Sequence, residues 1–175
     1  MGRRAGEGGG RRQASLSRTP RRGAYVAALA MLAARDRTRS QVSRLLAARG
    51  YPPGEVKAAL DSLVGEGYLN DRRFATIWAR SRLQTKPMGA RRLRQELQAK
   101  GVEEDLVRDV LKEVYEDGEE AAARRAVAAG ASRFGRRSEG SGPGRMARYL
   151  ERRGFSTEVI WRLLREGRQP HRGDG

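Results

Sequence analysis

Residues 91–102 read Arg91-Arg92-Leu93-Arg94-Gln95-Glu96-Leu97-Gln98-Ala99-Lys100-Gly101-Val102. Leu93 and Leu97 stand four apart, so on a helix they share one face, and Arg91 lies nearly opposite. Gly101 follows the last turn, where a left-handed residue closes a helix without a Cβ penalty. The same arrangement surrounds two other glycines. Eight residues before Gly50, Gly101 and Gly154 stand Val42, Leu93 and Met146; four before stand Leu46, Leu97 and Leu150. Tyr51, Val102 and Phe155 come immediately after. Val56, Val107 and Ile160 follow at six, and Leu60, Leu111 and Leu164 at ten. The glycines are 51 and 53 residues apart, which makes this an internal three-fold repeat of about fifty residues.

Outward from each glycine the unit is a lead helix, a second helix ending at the glycine, and a third helix. The apolar periodicity predicts helices near 24–35, 40–49, 54–66, 71–82, 89–100, 103–117, 119–133, 144–153 and 157–166. Thr38-Arg39-Ser40-Gln41 is a capping box, and Asn70 and Ser156 are placed as N-caps. The lead helices are less alike, with Tyr25, Leu29 and Leu32 in the first and Phe74, Ile77 and Trp78 in the second. Tyr68, Phe74, Trp78, Phe155 and Trp161 read as packing anchors. The expected fold is all-α: three tandem three-helix repeats forming an elongated, curved array. Its parts are a disordered basic arm over 1–23, repeats over 24–69, 70–117 and 118–166, and a frayed tail over 167–175. Gly140-Ser141-Gly142-Pro143-Gly144 follows no strand and lacks a Lys-Ser/Thr ending, so it reads as a linker rather than a phosphate loop.

The chain of 175 residues has 37 Lys and Arg against 21 Asp and Glu, a formal charge of +16. That excess calls for an acidic partner, nucleic acid or an acidic protein surface. The arm alone has seven arginines and one glutamate. Elsewhere the charge is sorted by helix. Second helices are basic, and residues 103–117 hold seven acids with only Arg108 and Lys112. Arg49, Lys100 and Arg153 precede a glycine cap, where a cation offsets the helix dipole. The surface cations expected to bind a partner are Arg91, Arg92 and Arg94, with Arg44 and Arg148 at comparable places on the other second helices. On the lead helices they are Arg80, Arg82, Arg124 and Arg125.

Catalytic chemistry is not signalled. There is no cysteine, and the single histidine, His171, falls in the tail. Nothing implies a metal or cofactor, and a binding protein rather than an enzyme is expected. The run Ala24–Ala34 follows Arg21-Arg22 but is too short to span a bilayer and serves the first repeat. A cysteine-free chain suits a reducing cytoplasm, the expected location.

Gly67-Tyr68-Leu69-Asn70-Asp71-Arg72-Arg73-Phe74-Ala75 resembles the Gly-Tyr/Leu-apolar-Asp/Asn-Asp-x-x-Phe-Ala signature of the RecX family. Residues 91–102 resemble that family's second-repeat stretch, and Leu150-Glu151-Arg152-Arg153-Gly154-Phe155-Ser156 its third-repeat ending. The likeness covers about 24–166 in order. It departs at Met88-Gly89-Ala90, where the family has Gly-Pro, and in the long arm. It implies a protein that binds RecA and the RecA–DNA filament, with DNA as part of the target, and limits ATP hydrolysis and strand exchange; the three-fold repeat itself predicts an elongated monomer. Two other readings compete. Val42–Leu60 also matches a helix-turn-helix, the mark of a DNA-binding regulator. The would-be recognition helices begin with Glu55 or with Glu103-Glu104-Asp105, which repel phosphate. A basic RNA-associated protein acting through the arm is the third reading.

Overall fold

The computed structural model describes residues 20–134 and 142–167, with side chains for 23–130 and 142–167. Among the described residues there are nine helices and no strand. They are α1 (Pro20–Ala34), α2 (Arg39–Ala48), α3 (Pro53–Gly65), α4 (Asp71–Thr85), α5 (Ala90–Ala99), α6 (Glu104–Val114), α7 (Glu120–Phe134), α8 (Gly142–Arg152) and α9 (Thr157–Glu166). The strongest packing joins α1–α3, α4–α6 and α7–α9 into three bundles.

The caps form as their chemistry requires. Thr38 accepts the Gln41 amide (3.2 Å) while the Gln41 side chain accepts the Thr38 amide (3.3 Å). Asn70 accepts from the Arg73 amide at 2.8 Å, and Ser156 accepts from the Val159 amide at 3.4 Å. Gly50, Gly101 and Gly154 have φ of 82°, 80° and 80°, the left-handed conformation that glycine adopts without strain.

Two boundaries differ from the sequence expectation. Helix α1 begins at Pro20, inside the stretch assigned to the arm, because proline's fixed φ suits a first helical turn. Gly142, Pro143 and Gly144, read as linker, form the first turn of α8 for the same reason. Gly140 and Ser141, the arm up to Thr19 and the tail from Arg168 lie outside the described residues.

Each bundle has its own apolar core. Leu46, Leu63 and Leu69 anchor the first, Leu93, Leu97 and Val107 the second, and Leu150, Phe155 and Ile160 the third. The lead helices face these cores mainly with alanine: Ala24 and Ala28 beside Met31; Ala75 and Ala79 beside Leu83; Ala122, Ala123 and Ala126. Alanine lets a lead helix approach closely, so Tyr25, Leu29, Leu32, Phe74 and Trp78 sit only half-buried at the flank. Ile77 is 55% exposed. Tyr68 and Trp161, expected as packing anchors, are 54% and 56% exposed. The Gly67 turn brings the Leu69 amide to the Leu63 carbonyl (3.0 Å), so Leu69 fills the core position beside Tyr68. On α9, Ile160 and Leu163 hold the inward face, and Trp161 is turned about 100° from Ile160.

The bundles meet through two joints of the same construction. At the first, Thr38 Oγ1 donates to the Lys100 carbonyl (2.7 Å), and the Arg39 amide donates to Asp71 Oδ1 (2.7 Å). At the second, the Gly89 amide donates to the Arg153 carbonyl (2.9 Å), and the Ala90 amide donates to Glu119 Oε1. In both, the start of a second helix sits on the glycine turn of the next bundle. In both, a carboxylate at the head of the next lead helix takes its first free amide. Tyr115 packs against the second and third cores and donates to the Met88 carbonyl (2.7 Å), and burial pushes its hydroxyl well above the ordinary value.

Candidate polyanion-binding interface

The cations named from the sequence divide into two groups once their neighbours are placed. Arg80 pairs with Glu113 (2.8 Å) and Arg94 with Glu104 (3.1 Å), each tying two helices of the second bundle. Arg82 and Arg92 share Glu96, at 3.0 and 3.3 Å. Burial opposes ionisation of Glu96, but the hydrogen bonds and charges of Arg82 and Arg92 outweigh it and hold the carboxyl below its usual range. Arg124 pairs with Glu166 (3.1 Å). These five spend part of their charge inside the fold.

Arg44, Arg91, Arg125 and Arg148 are exposed and make no ion pair among the described residues. Arg44 lies along α2, Arg91 along α5 and Arg148 along α8, so each second helix keeps at least one such arginine. Arg91 reaches across the second joint and donates to the Glu151 carbonyl at 3.1 Å.

Two cations read as simple dipole partners do more. Lys100 stands over the Trp78 ring, 4.7 Å from its centroid. Arg153 lies over the Tyr149 ring at 4.7 Å and donates to the Pro87 carbonyl (2.8 Å). Arg153, Lys86, Met88, Arg92, Tyr149 and Arg152 line an open cleft of about 340 Å³ at the second joint. Sequence spacing did not single out Lys86 or Arg152, because the cleft assembles residues up to 67 positions apart. The side chains of Arg133, Arg136, Arg137 and the arm's first arginines lie outside the described residues.

The third helices carry acid in their first turns: Glu55 on α3, Glu104 and Asp105 on α6, Glu158 on α9. None is suited to enter a nucleic-acid groove as a recognition helix. Among the described residues there is no cluster of three or more His, Cys, Asp or Glu able to hold a metal, and no helix long and apolar enough to cross a membrane.

Three capped bundles joined head to tail, with basic second helices at the surface, define a class: an all-α tandem-repeat scaffold. Comparison with known proteins makes this specific. Residues 24–63 match the family model for the first three-helix domain of RecX, and residues 70–111 that for its second. The chain is 38% identical over 139 residues to regulatory protein RecX of Halorhodospira halophila, covering 77% of this chain and 81% of the relative. It is 35% identical to regulatory protein RecX of Mycobacterium tuberculosis, covering 78% and 80%. The crystal structure of RecX from Lactobacillus salivarius superposes with a TM-score of 0.77 at 21% identity, over 84% of this chain and 96% of that one. A second crystal structure of regulatory protein RecX gives 0.73 at 23% identity, over 84% and 72%. The chain belongs to the RecX family of regulatory proteins.

Proposed function

We propose that this protein binds RecA and the RecA–DNA filament and lowers RecA's ATP hydrolysis and strand exchange, acting as a monomer in the cytoplasm and as a binder rather than an enzyme. The observation that carries this reading is that the second helix of every repeat has an exposed arginine with no ion pair among the described residues: Arg44, Arg91 and Arg148. A family regulator with at least one such arginine on every second helix is suited to an extended acidic target. The repeats, taken as 24–69, 70–117 and 118–166, present these cations in series. Arg92, Arg94, Arg80, Arg82, Arg124 and Arg125 flank them. The mechanism is steric and electrostatic: the array lies across neighbouring RecA protomers and the enclosed DNA and holds the filament in a state poor at turnover.

The test is RecA-dependent ATP hydrolysis on single-stranded DNA with and without the purified chain. Turnover falls as the protein is added, and added salt weakens the effect. Turnover unchanged across a wide range of protein and salt refutes the proposal.

A further inference from the structure

We infer that the cleft at the second joint is a phosphate-binding site for a nucleic-acid backbone, with Lys86, Arg92, Arg152 and Arg153 as its ligands. Four of the six lining residues are cations and none is acidic. Lys86 and Arg152 make no ion pair among the described residues. Arg92 has only a share of Glu96, which Arg82 also holds. Arg153 is fixed in place by the Pro87 carbonyl and the Tyr149 ring. A guanidinium fixed in this way is pre-organised for an anion, since that side chain needs little further ordering on binding.

The repeat supplies an internal control. Counted from the glycine, the first two repeats carry Gln41, Glu96, Ala99 and Lys100 at the positions equivalent to those of the cleft, with no net charge. Their counterparts across the second joint are Arg92, Tyr149, Arg152 and Arg153, with three positive charges. The connecting loops do not differ in charge: Arg35-Asp36-Arg37 and Lys86-Pro87-Met88 each carry one net positive charge. The first joint therefore closes without arginine at these positions, with Arg44 beside Gly101 as its nearest guanidinium. The mutual repulsion of the cleft's cations is a cost that an anionic ligand relieves.

The shape selects the ligand. Tyr149 is buried, with its hydroxyl on the Ala126 carbonyl (3.0 Å) and Arg153 over its ring, so it offers no face to a base. The first amide of α5 already binds Glu119, so the anion meets side chains rather than the helix end. A phosphodiester is recognised here and its base is not.

The site deepens the proposed function, resting on the reading that nucleic acid is part of the target. The assay contains no RecA, so its failure is distinguishable from failure of that reading. A labelled short oligothymidylate is titrated with the full-length chain at several salt concentrations. Lys86→Ala with Arg152→Ala lowers affinity about tenfold, and the slope of log K against log salt falls by roughly 0.7 for each phosphate contact removed. Arg49→Ala with Arg165→Ala removes equal charge from residues that do not line the cleft and leaves the slope nearly unchanged. An abasic oligomer of equal length binds as well as oligothymidylate. Equal losses in both double variants would mean diffuse net charge and overturn the site. Failure of the abasic strand to bind would overturn phosphate recognition. Unchanged oligomer binding by the cleft variant would overturn the proposal outright. Circular dichroism of both variants, matched to the parent, establishes that folding is not what the titration reads.

Discussion

Gly154 lies against the backbone of Arg92, so close that a Cβ at residue 154 would stand 2.5 Å from the Arg92 amide nitrogen and 2.6 Å from its Cβ. Gly50, with the same left-handed backbone, has open space around it. The two glycines share a sequence role and differ in tertiary role. Gly50→Ala meets only backbone strain and costs about 1–2 kcal/mol. Gly154→Ala adds a clash with main chain at the joint and costs at least about 2 kcal/mol more. Urea denaturation of the two variants checks the difference. Equal destabilisation would mean that the joint opens freely.

Glu119 fastens two helix starts at once, accepting from the Ala90 amide through one oxygen and from the Ser156 amide (3.2 Å) through the other. Glu119→Ala leaves both amides without that partner and costs on the order of 2–3 kcal/mol. Glu119→Gln keeps an oxygen for one of them and loses less. Hydrogen exchange localises the effect: the Ala90 and Ser156 amides exchange faster in Glu119→Ala, while the first bundle keeps its protection.

Acid acts on the two joint-side carboxylates with opposite sign. Glu96 is held below its ordinary 4.5, so its contribution is fully present above that value and is lost as pH falls through the lower folded value. Burial lifts Asp71 above its ordinary 3.8, against the bond from the Arg39 amide. Its contribution is fully present below 3.8 and is lost as pH rises through the folded value. Melting temperatures measured from pH 7 down to 3 therefore fall less steeply for Glu96→Gln than for the parent. They fall more steeply for Asp71→Asn.

Charge reversal separates the arginines without an ion pair among the described residues from those paired inside the fold. Arg91→Glu with Arg148→Glu lowers inhibition of RecA ATP hydrolysis about tenfold or more, since each attraction to an acidic target becomes a repulsion. Lys112→Glu with Arg165→Glu makes the same change in net charge on third helices, at cations with no ion pair among the described residues, and leaves inhibition within about twofold. The measurement is the concentration for half-inhibition at fixed salt. Arg80→Glu is a different kind of variant: it leaves Glu113 facing a second acid and lowers stability as well.

The helices, their caps and the three-fold repeat were legible in the sequence because each depends on neighbours a few positions away. Leu93, Leu97 and Gly101 describe one helix and its end through spacing alone. Thr38 with Gln41, Asn70 and Ser156 declare helix starts by hydrogen bonds within a single turn. The periodicity did not show that the lead helices face the core with alanine, because a small residue carries little hydrophobic signal against a flanking Phe74 or Trp78. Tyr68 and Trp161 were misjudged because residue type marks what burial favours, while the turn at Gly67 and the angle of α9 decide which neighbour gets it.

What the sequence by itself determined is local: an all-α chain, cut by glycines into three like units, with basic second helices and acid-headed third helices. What only the tertiary structure decided is which charges remain available. Arg80 meets Glu113 and Arg124 meets Glu166 across gaps of 33 and 42 residues, whereas Arg91 and Arg148 find no carboxylate among the described residues. The joints are of the same kind, with Asp71 serving Arg39 and Glu119 serving Ala90 from the next repeat. No spacing rule links such residues. An ion pair is fixed by distance in space, and that distance exists only after the bundles have packed and the glycine turns have brought one repeat onto the next.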